Sequence, residues 1–190
     1  MKIGLFFGSF NPIHTGHLII ANHVLNETNL DKIWFVVSPV NPYKITADLL
    51  DESARLSLVE RALGTDERII ASNIEFQLPK PSFTINTLSF LKENYSEHDF
   101  SIIMGSDNFR LFDKWKNYEK ISANHKVLVY VRAGFEIENT FNTDIEVLNA
   151  PVLDISATEI RRLIKEGKSI RYLVPEVVRR EIEEKGYYKK

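Results

Sequence analysis

Two histidines three residues apart, His14 and His17, stand in a turn-forming decapeptide that runs from Gly8 to His17. The segment follows the apolar run 3–7 directly and opens into an amphipathic stretch over 18–25. A strand thus ends in a turn holding two glycines and a proline, and a helix starts at once. Unpaired amides at a helix start attract anions, and two imidazoles at the same point add donors. That combination suits the phosphates of a nucleotide.

Rival readings of the segment explain less. Gly8 and Gly16 lack the G-x-G-x-x-G spacing of a dinucleotide fingerprint, and the chain has no G-x-x-x-x-G-K-[ST] loop. Turn chemistry accounts for Gly8 and Pro12 and makes Thr15 an N-cap, but it leaves both histidines unexplained. Zinc is the alternative for a His-x-x-His pair. It lacks a third ligand here: the chain has no cysteine, and His23 sits roughly 240° around the helix from His17.

A second candidate lies at residues 155–161. Ser156 and Glu159 have capping-box spacing before an apolar-faced helix, which structure alone explains. Thr158, Arg161 and Arg162 are not required by the box. With Ile160, Leu163 and Ile164 facing a core, at least one arginine is left free beside a second helix start, where its planar fork can grip phosphate oxygens.

The elements that must position these groups follow from periodicity. Apolar runs at 3–7, 33–37, 69–71, 100–104, 127–131 and 152–155 predict strands. Helical patterns cover 18–26, 53–63, 84–93, 109–121, 157–166 and 175–185, with longer loops at 38–51 and 135–144. Continuous apolar strands alternating with helices predict a doubly wound α/β fold, a mainly parallel sheet covered on both faces, with ligands beyond the carboxyl ends of the strands.

Composition bounds the rest. A chain of 190 residues, 44% hydrophobic and 26% charged, fits one domain over 1–190. A formal net charge of -2 gives no support to a nucleic-acid surface. Without cysteine, disulfides, thiolate nucleophiles and cysteine-based zinc sites are excluded. No run is long enough for a membrane span or a signal peptide, so a cytoplasmic protein without a membrane partner is expected.

Together the two motifs resemble the H-x-G-H nucleotidyltransferases that carry a terminal I-S-x-T-x-[IV]-R element, most closely the bacterial nicotinate mononucleotide adenylyltransferases. Shorter elements elsewhere in the chain complete the likeness: residues 41–44, residues 81–84, Gly105 with Asp107, Trp115, Arg132, and the closing Gly186 with Tyr187. The resemblance implies a Rossmann-like nucleotidyltransferase fold and adenylyl transfer from ATP to nicotinate mononucleotide, releasing pyrophosphate, in NAD biosynthesis. It implies that Gly8, Ser9 and Phe10 meet ATP through their backbone and that His14 and His17 meet its phosphates. Lys44 would be a point charge for the reacting phosphates. Gly105 and Asp107 would lie near the adenosine and a ribose, and Ser156, Thr158 and Arg161 on the triphosphate. Thr84, Trp115 and Arg132 would hold the mononucleotide, the pyridine ring stacking on the tryptophan. Mg²⁺ would arrive mainly on the ATP phosphates, with no protein metal site, and a homo-oligomer is left open. This chain departs from the pattern at Asn41 to Tyr43, where Pro-Pro-His is usual, and at Ala133, where proline is usual.

Readings that stay open at this point are transfer to nicotinamide mononucleotide or to phosphopantetheine, and a non-catalytic nucleotide-binding module of the same fold. Thr84 as a helix cap and Trp115 as core packing are the structural alternatives for those two residues.

Overall fold

A computed structural model describes residues 1–42, 48–141 and 143–189. Six strands form one parallel sheet: β1 (Lys2–Gly8), β2 (Lys32–Val37), β3 (Ile69–Ser72), β4 (Asp99–Gly105), β5 (Val127–Tyr130) and β6 (Ile145–Leu148). Their spatial order is β3-β2-β1-β4-β5-β6, so the chain winds outward from β1, then crosses back to lay β4 on its other side. Strand order reverses between β1 and β4, where a doubly wound sheet opens a crevice at its carboxyl edge.

Neighbouring side chains along each strand are buried on opposite faces, as expected when helices cover both. Phe6, Ile33, Phe35, Val37, Ile103 and Leu128 face one core. There they meet α1 (Thr15–Glu27), α2 (Glu52–Leu63), α6 (Ala157–Lys165) and α7 (Glu176–Lys185). Ile3, Leu5, Val36, Ile102, Met104, Val127 and Val129 face the other, against α3 (Thr84–Asn94), Phe109 of α4 (Ser106–Phe109) and Ile121 of α5 (Tyr118–Asn124).

The expected elements are present with two corrections. The sixth strand is 145–148 and not the run 152–155. As an edge strand it is only half covered, with Glu146 ion-paired to Lys126 at 2.7 Å, so it reads as polar. Residues 152–155 form no strand: Val152 is exposed, while Leu153 and Ile155 pack beside Gly16 and Ile20. The single helix expected over 109–121 is also broken. After α4 a 3₁₀ turn (Phe112–Lys114) follows, Trp115 is extended, and Asn117 is left-handed with φ 55° before α5 begins. Asparagine tolerates that conformation better than most residues. The break turns Trp115 toward the crevice.

Candidate active site

Every residue nominated from the sequence, apart from Lys44, lines one cleft of about 340 Å³ at the carboxyl ends of the strands. Lys44 lies outside the described residues. The contributing segments are the turn after β1, the start of α3, the ends of β4 and β5, the Trp115 break and the start of α6.

The β1 turn is shaped by Phe10, whose backbone is left-handed at φ 46°. Its ring folds back over Gly8, so a Cβ there would come within 2.9 Å of it. The ring is 3% exposed and meets Phe35 at 5.1 Å and His17 at 5.0 Å between centroids. With its side chain committed to the core, Phe10 offers the cleft mainly its main chain. The peptide bond between Asn11 and Pro12 is cis, as is that between Lys80 and Pro81.

His14, not Thr15, is the N-cap of α1, and Thr15 is its first helical residue. The two imidazoles stack with ring centroids 3.6 Å apart and planes at 22°. They show the reciprocal pattern of a capping box, in which the His14 amide donates to Nδ1 of His17 at 3.3 Å. Nδ1 of His14 is buried without a bond of normal geometry. Burial, helped by the nearby Arg132 charge, pulls the His14 pKa down to about 4. In the free protein at neutral pH, His14 is therefore a neutral hydrogen-bonding group and not a cation.

At the opposite wall, Ser156 caps α6 by accepting from the Glu159 amide at 3.2 Å. Only half of the expected box forms, because the Glu159 carboxylate pairs with Arg162 at 2.8 and 2.6 Å. That pairing keeps Arg162 on the surface and sorts the two arginines: Arg161 turns inward and is 9% exposed. Its Nη1 donates to the Asn11 carbonyl at 2.8 Å, joining the two motifs across 150 residues.

Gly105 ends β4 where a Cβ would come within 2.5 Å of Asp107 Oδ1 and 2.9 Å of Arg132 Cδ, so any side chain there must displace both. The Arg132 amide donates to Ser106 Oγ at 2.9 Å. Thr84 is the first residue of α3, behind Phe83 as N-cap. Trp115 rests edge-on against Phe112 at 5.5 Å yet also lines the cleft. Among the described residues, Nε of Arg161 and Oδ1 of Asp107 are buried without a hydrogen-bond partner. Such atoms are costly unless a ligand satisfies them.

Sequence reasoning missed Arg55. It is fully buried, and its guanidinium donates to four carbonyls: Ser9 at 2.6 Å, Ser38 at 2.8 Å, Pro39 at 2.9 Å and Leu50 at 2.8 Å. One side chain thus ties the β1 turn to both ends of the segment after β2. The available signal was its helical spacing with Leu58 and Val59, which places an arginine on the apolar face of α2.

Comparison with known proteins gives the family and the fold. A family model described as cytidylyltransferase-like matches residues 5–163. A Flavobacterium johnsoniae protein named "Probable nicotinate-nucleotide adenylyltransferase" is 50% identical, with 100% of each chain covered. A Cytophaga hutchinsonii protein of the same name is 47% identical over 99% of this chain and 98% of its own. The chain belongs to the nicotinate-nucleotide adenylyltransferase family. Its fold is also that of the Plasmodium falciparum nicotinic acid mononucleotide adenylyltransferase solved in complex with NaAD. That structure superimposes with a TM-score of 0.85 at 20% identity, covering 98% of this chain and 97% of the other. Among the described residues, no helix is long and apolar enough to cross a membrane.

Proposed function

We propose that this member of the family transfers the adenylyl group of ATP to nicotinate mononucleotide, forming nicotinate adenine dinucleotide and pyrophosphate. A phosphate oxygen of the mononucleotide bonds to the α-phosphorus of ATP as the bond to the β-phosphate bridging oxygen breaks, and the electron pair leaves with pyrophosphate. The nucleophile is already anionic, so no general base is needed. What the protein must supply is alignment and neutralisation of charge.

The cleft's residues suit that task. His14, His17 and Arg161, with Ser156 and Thr158 at the α6 start, are the groups for the triphosphate. Gly8, Ser9 and Phe10 would meet ATP through the main chain, and Gly105 and Asp107 its adenosine and ribose. Lys44 belongs with the reacting phosphates. Thr84, Trp115 and Arg132 are the groups for the mononucleotide. The helix-start amides beside Thr84 are donors, which match a carboxylate better than a carboxamide.

Among the described residues no three or more of His, Cys, Asp or Glu are grouped to hold a metal. Mg²⁺ would arrive mainly on the ATP phosphates, where it would supply charge neutralisation.

The observation that carries this reading is the convergence of both terminal motifs and the Trp115 break on one cleft. Its test is pyrophosphate release with ATP, magnesium and a panel of acceptors. Release dependent on nicotinate mononucleotide is expected. Release with phosphopantetheine alone, or none with any acceptor, overturns it.

A further inference from the structure

Asn11 is a junction whose side-chain amide and main-chain carbonyl are both engaged. Its Oδ1 accepts from the Tyr188 hydroxyl at 2.9 Å and from the Leu50 amide at 3.2 Å, and its Nδ2 donates to the Asp48 carbonyl at 3.0 Å. Its main-chain carbonyl receives Arg161 Nη1 at 2.8 Å. The residue is 4% exposed, and the bonds to Tyr188 and Arg161 are buried, where losing one leaves a buried group unpaired.

Tyr188 is 6% exposed and does not line the cleft. It reaches Asn11 because α7 ends on Gly186 at φ 66° and the chain turns back with Tyr188 itself at φ 63°. A left-handed aromatic residue is held against its own preference, which requires surroundings that over-determine it. Burial pushes its hydroxyl above the usual tyrosine range, so it remains a donor throughout ordinary pH. A second tie runs in parallel, from Lys165 of α6 to Asp48 at 2.9 Å.

We propose that Tyr188 is a positioning residue for Arg161: its hydroxyl holds the Asn11 amide, and the fixed Asn11 main chain in turn aims the guanidinium into the nucleotide cleft. Tyr188 touches no substrate and acts only through this relay. The inference rests on the assignment of Arg161 to the ATP phosphates.

The test is a double-mutant cycle on the full chain, assayed with ATP, magnesium and nicotinate mononucleotide. Tyr188→Phe removes one oxygen and should lower kcat/KM for ATP about fivefold, the scale of one hydrogen bond, while KM for the mononucleotide stays within about twofold. In an Arg161→Ala background the same change should cost less than about 1.5-fold, because there is no guanidinium left to aim. A fivefold cost in both backgrounds, or none in either, overturns the proposal. Should the phenylalanine variant fail to fold, Tyr188→Met is run through the same cycle. Failure of the unaltered chain to make product would instead count against the proposed reaction, and so is told apart.

Discussion

The imidazoles of His14 and His17 lie face to face, their centroids 3.6 Å apart, at the first turn of the helix after β1. Two protonated rings at that distance would repel, and the burial of His14 resolves the conflict by keeping it neutral. The pair therefore sets a neutral His14 ring against His17, and any negative charge brought into the cleft will favour His14 protonation.

The first prediction is a pH dependence. His14 titrates near 4 in the fold and near 6.5 unfolded, so the unfolded chain binds more protons between those values. Stability from this group is complete above about pH 6.5 and is lost as pH falls toward 4, by on the order of 3 kcal/mol. Urea unfolding across this window should show the slope, and His14→Gln should reduce it. NMR titration of the ring should place its pKa near 4, and higher with ATP bound.

His17→Ala should lower turnover about 100-fold or more, the scale for losing a preorganised donor to transition-state charge. The ring also packs edge-on against Phe6 at 6.0 Å, so the melting temperature must be measured alongside. A folded variant with near-normal turnover would remove His17 from the catalytic set.

Nicotinate mononucleotide should be favoured over its carboxamide counterpart by about 10- to 100-fold in kcat/KM, since the amide's NH₂ would face donors and stay unpaired. Equal values for the two acceptors would contradict the assignment of Thr84 and its neighbouring amides.

Gly105→Ala should lower kcat/KM for ATP about tenfold, because the new Cβ must displace both Asp107 and Arg132. A steady-state assay of both substrates reads this directly, and unchanged kinetics would show that neither side chain needs its present place.

Arg55→Met should destabilise the fold by roughly 3 kcal/mol or more, as four carbonyls, two of them in buried bonds and two in part-buried ones, lose their donor. Chemical denaturation provides the measurement. A loss under about 1 kcal/mol would mean that water replaces the guanidinium.

The strands near the site were legible because a sheet covered on both faces needs continuous apolar runs, as in β1 and β2. The two terminal motifs were legible because helix starts with surplus cationic or imidazole groups have few other uses. What could not be read depends on distant partners. Whether Arg161 or Arg162 turns inward is decided by Glu159, whose carboxylate takes Arg162. Arg55 is a charged residue whose partners are main-chain carbonyls of other segments, invisible to local pattern. The edge strand β6 lost to 152–155 in the sequence reading because half-covered strands look polar, while an extended run packed on α1 looks like a ladder it never joins.

The strand order carries a consequence for biosynthesis. β1 leaves the ribosome first, yet its register partner across the crevice, Asp99 opposite Lys2, follows 97 residues later, and the Arg161 bond to Asn11 spans 150. A nascent chain can pair β1 with β2 early, but it cannot close the cleft until α6 has emerged. Chains that end before α6 lack the Arg161 bond to Asn11 and one wall of the cleft.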